Sequence, residues 1–64
     1  MAVFSSEFRH GEAVTFLDWQ GNRRQGWFMA AEGEGGISVC TSIDNVGEEV
    51  VWFVDTGNIE RRER

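Results

Sequence analysis

Glycine is the residue that most restricts how this chain can fold. Eight of the 64 residues are glycine, and they divide the chain into short segments at positions 11, 21, 26, 33, 35, 36, 47 and 57. Between the glycines, β-branched and aromatic residues alternate with a period of two, and helical periodicity is hard to find. The pattern predicts short β-strands joined by tight turns.

Five segments fit a strand pattern, at 12–18, 23–32, 37–42, 50–55 and 59–62. In the second segment, alternation places Trp27, Met29 and Ala31 on one face and Phe28 and Ala30 on the other. The segment 50–55 is apolar on both faces, so we expect it to be the central strand of the sheet.

Turn residues separate these segments. Gly21 and Asn22 form the centre of the first predicted turn, and Gly26, inside a strand segment, predicts a bulge or a sharp bend. Asp55-Thr56-Gly57-Asn58 predicts a tight turn in which Gly57 takes a positive φ.

Four to five short antiparallel strands with almost no helix predict an all-β fold, and closure into a small barrel would protect the apolar faces from water. The chain is long enough for one domain only, so residues 1–64 are expected to form it alone. Within it, residues 1–10 could cover one open end of the barrel through Val3, Phe4 and Phe8, as a short helix or as an extra strand. Residues 61–64 are expected to be a frayed tail.

Charge and composition restrict the function. The net charge is −5, which disfavours general nucleic-acid binding and favours either a basic partner or no charged partner at all. Every basic residue is an arginine. Two clusters, Arg23 and Arg24 with Arg61 and Arg62, could meet to form a basic patch for nucleic acid, or could be solvated charge of a loop and the tail. No run of about 18 apolar residues and no signal peptide is recognisable, so we expect a cytoplasmic protein without membrane contact.

Catalytic and metal-binding residues are scarce. Cys40 and His10 are the only candidate nucleophile and base, they are far apart in the sequence, and Cys40 falls in the middle of a predicted strand. A single cysteine and a single histidine permit neither an intramolecular disulfide nor a structural zinc site. We therefore expect no enzymatic activity, no metal and no cofactor.

Large aromatic side chains are the main candidates for binding. Trp27 and Phe28 are adjacent on one strand, as are Trp52 and Phe53, so each pair places a ring on both faces of its strand. Trp19 falls at a predicted turn. The rings could serve core packing alone, self-association or a protein partner, or a cage for a small cation.

Two polar groups allow both structural and functional explanations. Asp55 and Asn58 could simply end a strand, or could accept hydrogen bonds at a pocket rim from a guanidinium or ammonium held against Trp52 or Trp27. The acidic loops around Glu32 and 44–49 could be solubilising charge, or could imitate nucleic-acid phosphate as small acidic phage and plasmid inhibitor proteins do.

The opening His10-Gly11-Glu12-Ala13-Val14 resembles that of the SH3-like small β-barrels, including the Tudor and KOW domains. Residues 27–30, Trp-Phe-Met-Ala, stand where Tudor domains have an aromatic pair, and 55–58 is similar to their turn after an apolar strand. The resemblance covers roughly residues 11–60 and implies a small SH3-like barrel. Thr56 stands where Tudor domains place an aromatic wall of the ligand cage.

A more distant resemblance in layout is to the plasmid type II dihydrofolate reductases, which are SH3-like barrels that act as tetramers. Their pore strand carries a polar Gln and Tyr, whereas the comparable residues here are Val50-Val51-Trp52-Phe53. This resemblance implies that an active site could exist only in an oligomer.

The sequence thus favours a non-catalytic interaction module that binds a protein or peptide partner through an exposed aromatic face. The partner could be basic, and the same face could also pair two copies of the chain. The alternatives are a nucleic-acid-associated Tudor-like or KOW-like domain, an acidic inhibitor protein and an oligomeric enzyme.

Overall fold

The structure, a computed structural model, describes residues 8–32 and 35–62. Within these residues, five strands form one sheet: β1 (Ala13–Leu17), β2 (Arg23–Glu32), β3 (Ile37–Ile43), β4 (Glu49–Asp55) and β5 (Ile59–Arg61). A short 3-10 helix (Thr56–Asn58) joins β4 to β5. All neighbouring strands are antiparallel, in the order β4-β3-β2-β1-β5. The prediction of an all-β domain with short antiparallel strands is confirmed.

Two hairpin loops, 18–22 and 44–48, are built in the same way. Each begins with an aspartate whose Oδ1 accepts the backbone N–H groups two and four residues later, at 2.8–3.0 Å. The fourth residue is Gly21 or Gly47, with φ of 85° or 87°, and its N–H donates to the carbonyl of the aspartate. Because only glycine adopts this φ without strain, the pattern Asp-x-x-Gly explains both turns.

Of the two features predicted at Gly26, a bulge or a sharp bend, the bulge lies elsewhere. A Cβ at Gly26 would lie 1.9 Å from the carbonyl oxygen of Thr41, so the glycine lets the backbones of β2 and β3 approach closely. The break in register lies between Phe28 and Ala30 instead. As a result Trp27 and Ala30, paired with Thr41 and Val39, share a face, and the predicted alternation along 23–32 is wrong beyond residue 28.

The core lies on one face of the sheet, which we call the inner face. Its buried apolar members come from all five strands and are Val14, Phe16, Phe28, Cys40, Val54 and Ile59. Phe8 packs on this core, with its ring centroid 5.3 Å from that of Phe28. The other expected members of the N-terminal cover, Val3 and Phe4, lie outside the described residues.

β4 is an edge strand, which corrects the prediction that 50–55 is central. The two apolar faces suggested burial on both sides, yet only one face of β4 packs on the core. Val54 is buried at 4% exposure, whereas Val51 and Phe53 are 55% and 62% exposed. Solvent therefore reaches apolar side chains that the pattern alone places inside.

Two further predictions near the C-terminus are corrected. Residues 56–58 form a 3-10 turn, and Gly57 is not among the glycines with positive φ. Arg61 belongs to β5, and the backbone N–H of Arg62 donates to the carbonyl of Ala13 at 3.1 Å. The first two residues of the expected frayed tail are therefore tied to β1. Over the described parts of the chain, no helix has the length and apolar character needed to span a membrane.

Candidate interaction surface

The outward-facing side chains of β2, β3 and β4 form a face that we call the outer face. Strand register aligns them in rows across the sheet. The two central rows are Trp27–Thr41–Val51 and Ala30–Val39–Phe53. Trp27 is 38% exposed, and Val51 and Phe53 more so. The centre of the outer face is thus an apolar surface open to solvent.

Carboxylates stand at both ends of this apolar surface. At one end, Glu32, Ile37 and Asp55 form a row across the three strands, with a carboxylate on either side of Ile37. At the other end, Glu49 is paired with Ile43. Glu32, Glu49 and Asp55 are all exposed. Among the described residues none of these three forms an ion pair, since the two ion pairs are Arg24–Asp18 and Arg61–Glu12. The apolar surface is bounded by uncompensated negative charge.

The backbone of β4 presents free hydrogen-bonding groups along its outer edge. The N–H of Thr56 donates to the carbonyl of Gly36 at 2.7 Å. Thr56 and Gly36 are therefore a hydrogen-bonded pair of the antiparallel ladder between β4 and β3. Because such pairs alternate along an antiparallel ladder, Val50, Trp52 and Val54 face β3 with their backbone groups. The N–H and C=O groups of the residues between them point away from the sheet.

A groove follows this edge, and we call it the edge groove. It has a volume of about 450 Å³ and is lined by Trp19, Val51, Trp52 and Phe53. Trp52 and its two neighbours project from opposite faces of β4, so a depression touching all three runs along the edge of the strand. Trp19, 81% exposed in the loop between β1 and β2, also lines the edge groove.

Trp52 is held firmly on its inner side. Its indole Nε1–H donates to Ser42 Oγ at 2.9 Å, and its ring lies 6.4 Å from that of Phe16. The guanidinium of Arg24 lies 4.5 Å from the ring centroid, within the range of a cation–π contact. These contacts fix the orientation of the ring that lines the edge groove.

Arg24 is positioned in turn by Asp18. Its Nε donates to Asp18 Oδ2 at 2.8 Å, while the Asp18 side chain is 2% exposed. Burial opposes ionisation of this carboxyl, but the hydrogen bonds from Arg24, Asn22 and Gln20 prevail and hold its pKa below the ordinary value of 3.8. The ionised Asp18 thereby links the first hairpin loop to the ring of Trp52.

The four arginines of the predicted basic patch are largely engaged within the chain. Arg61 binds Glu12 and lies over the ring of Phe8. Arg62 donates from Nη2 to the carbonyl of Gly26 at 2.9 Å and lies 5.9 Å from the Trp27 ring centroid. Arg24 binds Asp18 and contacts the ring of Trp52, as described above.

The two arginine clusters also lie on opposite sides of β1. Arg23 pairs with Leu17 at one end of β1, and Arg61 pairs with Val14 near the other end. These positions are three residues apart along the strand direction and two strand spacings apart across the sheet, which is roughly 10 Å in each direction. The two clusters therefore start from backbone positions near opposite ends of β1.

The remaining predicted binding residues are dispersed. Phe28 is 5% exposed and belongs to the core, so it is not available to a partner. Asn58 lines a separate depression of about 140 Å³ together with Arg23 and Glu60. Asp55 stands on the outer face beside Phe53, away from that depression. Of the predicted aromatic set, the edge groove brings together Trp19, Trp52 and Phe53.

Catalytic and metal-binding groups do not converge in the described residues. Cys40 is fully buried, and burial raises the pKa of its thiol to about 11. His10 is exposed, and its Nδ1–H donates to the carbonyl of Met29 at 3.0 Å. Across 8–32 and 35–62, no three side chains of the metal-ligating types cluster.

The free backbone edge of β4 was not recognised from the sequence. One signal could have found it, because Glu49 and Asp55 flank the apolar run with carboxylates in phase with Val51 and Phe53. Charges at the ends of an apolar strand are common on edge strands, where they oppose unwanted pairing.

Comparison of the chain with protein-family models, curated proteins and solved structures finds no match.

Proposed function

We propose that this protein is a non-catalytic interaction module that binds a basic protein or peptide segment at the edge groove and the adjoining outer face. One observation carries the proposal: an exposed apolar strip lies along an open sheet edge and is closed at both ends by carboxylates without ion-pair partners among the described residues. Apolar centres with polar rims are typical of binding surfaces, and uncompensated charge selects partners of opposite sign.

We further propose that the fold is a small SH3-like barrel, close in layout to Tudor domains. The strand order β4-β3-β2-β1-β5 and the 3-10 helix before the last strand are compatible with it. In this chain Trp19, Trp52 and Phe53 would take the place of the family's aromatic cage. Their groove of about 450 Å³ is lined by three successive residues of β4, which suits a peptide better than an isolated methylated ammonium.

A nucleic-acid partner is less well supported. Arg24, Arg61 and Arg62 are occupied by contacts within the chain, and the net charge is −5. Binding to nucleic acid draws most of its affinity from phosphate neutralisation, which needs available cations. The groove instead places its aromatic rings beside carboxylates.

An NMR titration of the protein tests the proposal. An arginine-rich peptide, in unmodified and methylated forms, and a single-stranded RNA are added separately while the three indole signals are followed. We expect shifts at Trp19 and Trp52 with the peptide, smaller effects at Trp27, and none of these with RNA. Shifts produced by RNA and abolished by salt would contradict the proposal and favour the nucleic-acid alternative.

Two matched variants locate the binding surface. Phe53→Ser removes an apolar side chain from the outer face, whereas Val46→Ser removes one that is 77% exposed in the loop between β3 and β4. We expect Phe53→Ser to abolish the peptide-induced shifts and Val46→Ser to leave them unchanged. Equal effects of the two variants would show that binding does not use the outer face.

A further inference from the structure

We propose that the partner segment binds as an added antiparallel strand on β4, and that it carries the alternating pattern basic-x-apolar-x-apolar-x-basic. The inference rests on the proposed function and specifies its binding mode and its ligand. It follows from two properties of β4, the direction of its free backbone groups and the order of its outward side chains.

The backbone of β4 is prepared for such pairing. The N–H and C=O groups of Glu49, Val51 and Phe53 point away from β3, and no hydrogen bond engages them within 8–32 and 35–62. β4 has seven residues, which corresponds to roughly 20 Å of open edge. Extended peptides bind to open sheet edges through main-chain hydrogen bonds, with specificity supplied by alternate side chains.

The outward side chains of β4 define which partner residues fit. In an antiparallel pair, directly opposed residues lie on the same face of the sheet. Partner residues opposite Val51 and Phe53 therefore extend the two apolar rows of the outer face. Those opposite Glu49 and Asp55 meet exposed carboxylates, which requires lysine or arginine at both ends. The intervening residues face the side of Trp19 and Trp52.

A second copy of this chain fits the same edge poorly. The antiparallel β4–β4 register with the longest overlap places Glu49 of each copy opposite Asp55 of the other, giving two pairs of like charges. A shift by two residues instead sets a carboxylate opposite Val51 or Phe53. Like charges directly opposed across strands are destabilising. The side chains of β4 therefore select a basic strand and oppose self-pairing.

The test uses a capped peptide, Gly-Arg-Thr-Val-Thr-Val-Thr-Arg-Gly, and two N-methylated forms of it. In the proposed pairing, the valine N–H groups point towards β4, whereas those of the threonines point away. One form carries N-methyl groups on both valines, and the matched form carries them on the two threonines that precede the valines. Affinity is measured by calorimetry, and amide hydrogen exchange is followed at Val51 and Phe53.

We expect the unmodified and threonine-methylated peptides to bind equally and to slow exchange of the Val51 and Phe53 amides. Methylation of the valines is expected to weaken binding at least about tenfold, since it removes two donors and introduces a steric block. A Val51→Pro variant provides a check on the protein side, because proline there removes an outward-pointing N–H without breaking a β3 hydrogen bond. Its melting transition shows whether it folds.

Other outcomes overturn the inference in distinct ways. Weaker binding of the threonine-methylated peptide would indicate a parallel strand, and equal binding of all three would exclude strand addition while leaving the basic-partner proposal intact. If the arginine-rich peptide shifts the indole signals but the alternating peptide does not bind, the binding mode is wrong and the function stands. If neither binds, or if the edge pairs two copies of the chain, both fail.

Discussion

Arg24 connects the buried Asp18 to the ring of Trp52, so a residue with the appearance of a surface cation is part of the scaffold of the site. Its neighbour Arg23 has no comparable contact among the described residues and lies exposed at the start of β2. Adjacent residues of a strand face opposite sides of the sheet, so two identical amino acids differ completely in role.

Replacing Arg24 with alanine is expected to destabilise the fold, whereas Arg23→Ala is not. The variant loses the guanidinium over Trp52, for which about 0.5–1 kcal/mol is typical, and leaves the Asp18 carboxylate without its cation. Urea denaturation followed by tryptophan fluorescence gives the difference. Equal stability of the two variants would show that the Asp18–Arg24–Trp52 contact has no structural role.

Asp18 and Glu12 make stability depend on pH. The pKa of Glu12 is lowered from 4.5 by the hydrogen bond from Arg61 and by the backbone N–H of Arg9, and that of Asp18 is lowered from 3.8. A carboxyl with a lower pKa in the folded state stabilises the fold above its unfolded pKa, and this contribution is lost as pH falls through the folded pKa.

We therefore expect the free energy of unfolding to fall as pH decreases below about 4.5, as the carboxylates take up protons. In Asp18→Asn this fall should be smaller, because the asparagine keeps its two backbone hydrogen bonds but does not titrate. Denaturation midpoints from pH 7 to pH 2 provide the comparison. A parallel decline in both proteins would mean that Asp18 is not among the groups responsible.

At the scale of elements, the hairpins are determined locally and the contact between β2 and β3 is not. The loops 18–22 and 44–48 need only residues that are close in sequence. Gly26 is required because the carbonyl of Thr41, fifteen positions later, would lie 1.9 Å from an added Cβ. The residues next to Gly26 in the sequence do not indicate this close contact with the backbone of β3.

The substitution Gly26→Ala is expected to destabilise the protein by about 1–3 kcal/mol, because the backbones of β2 and β3 must separate to admit the methyl group. Gly57→Ala is the matched control. Its Cβ meets no atom within 4 Å, and a change within about 0.5 kcal/mol is expected. Thermal unfolding of both variants tests the pair, and a tolerated alanine at position 26 would refute the close approach.

At the scale of the whole molecule, charge and topology act together. The chain carries a net charge of −5, and its open edge strand ends in two carboxylates. Exposed edge strands promote association unless something opposes it, and charge at the strand ends is a common protection. Here the same charges would both prevent self-pairing and attract a basic strand.

Reversing the charge at one end of β4 should favour pairing of two copies of the chain over binding of a basic strand. In Glu49→Lys, antiparallel β4–β4 pairing sets lysine opposite Asp55 of the second copy at both ends, so we expect dimers together with weaker binding of the basic peptide. Glu48→Lys makes the same change of net charge in the neighbouring loop and serves as control. Sedimentation velocity distinguishes monomer from dimer, and equal association of both variants would point to net charge alone.

The sequence by itself determined the approximate positions of the five strands and the two Asp-x-x-Gly hairpin loops, because both depend on residues that are close in the chain. It also indicated that Trp19, Trp52 and Phe53 were candidates for binding. Only the tertiary structure decided that β4 lies at the edge, that Phe28 belongs to the core and that Arg24 supports Trp52. Those features depend on strand order and on register across the sheet, which arise from contacts between residues far apart in the chain.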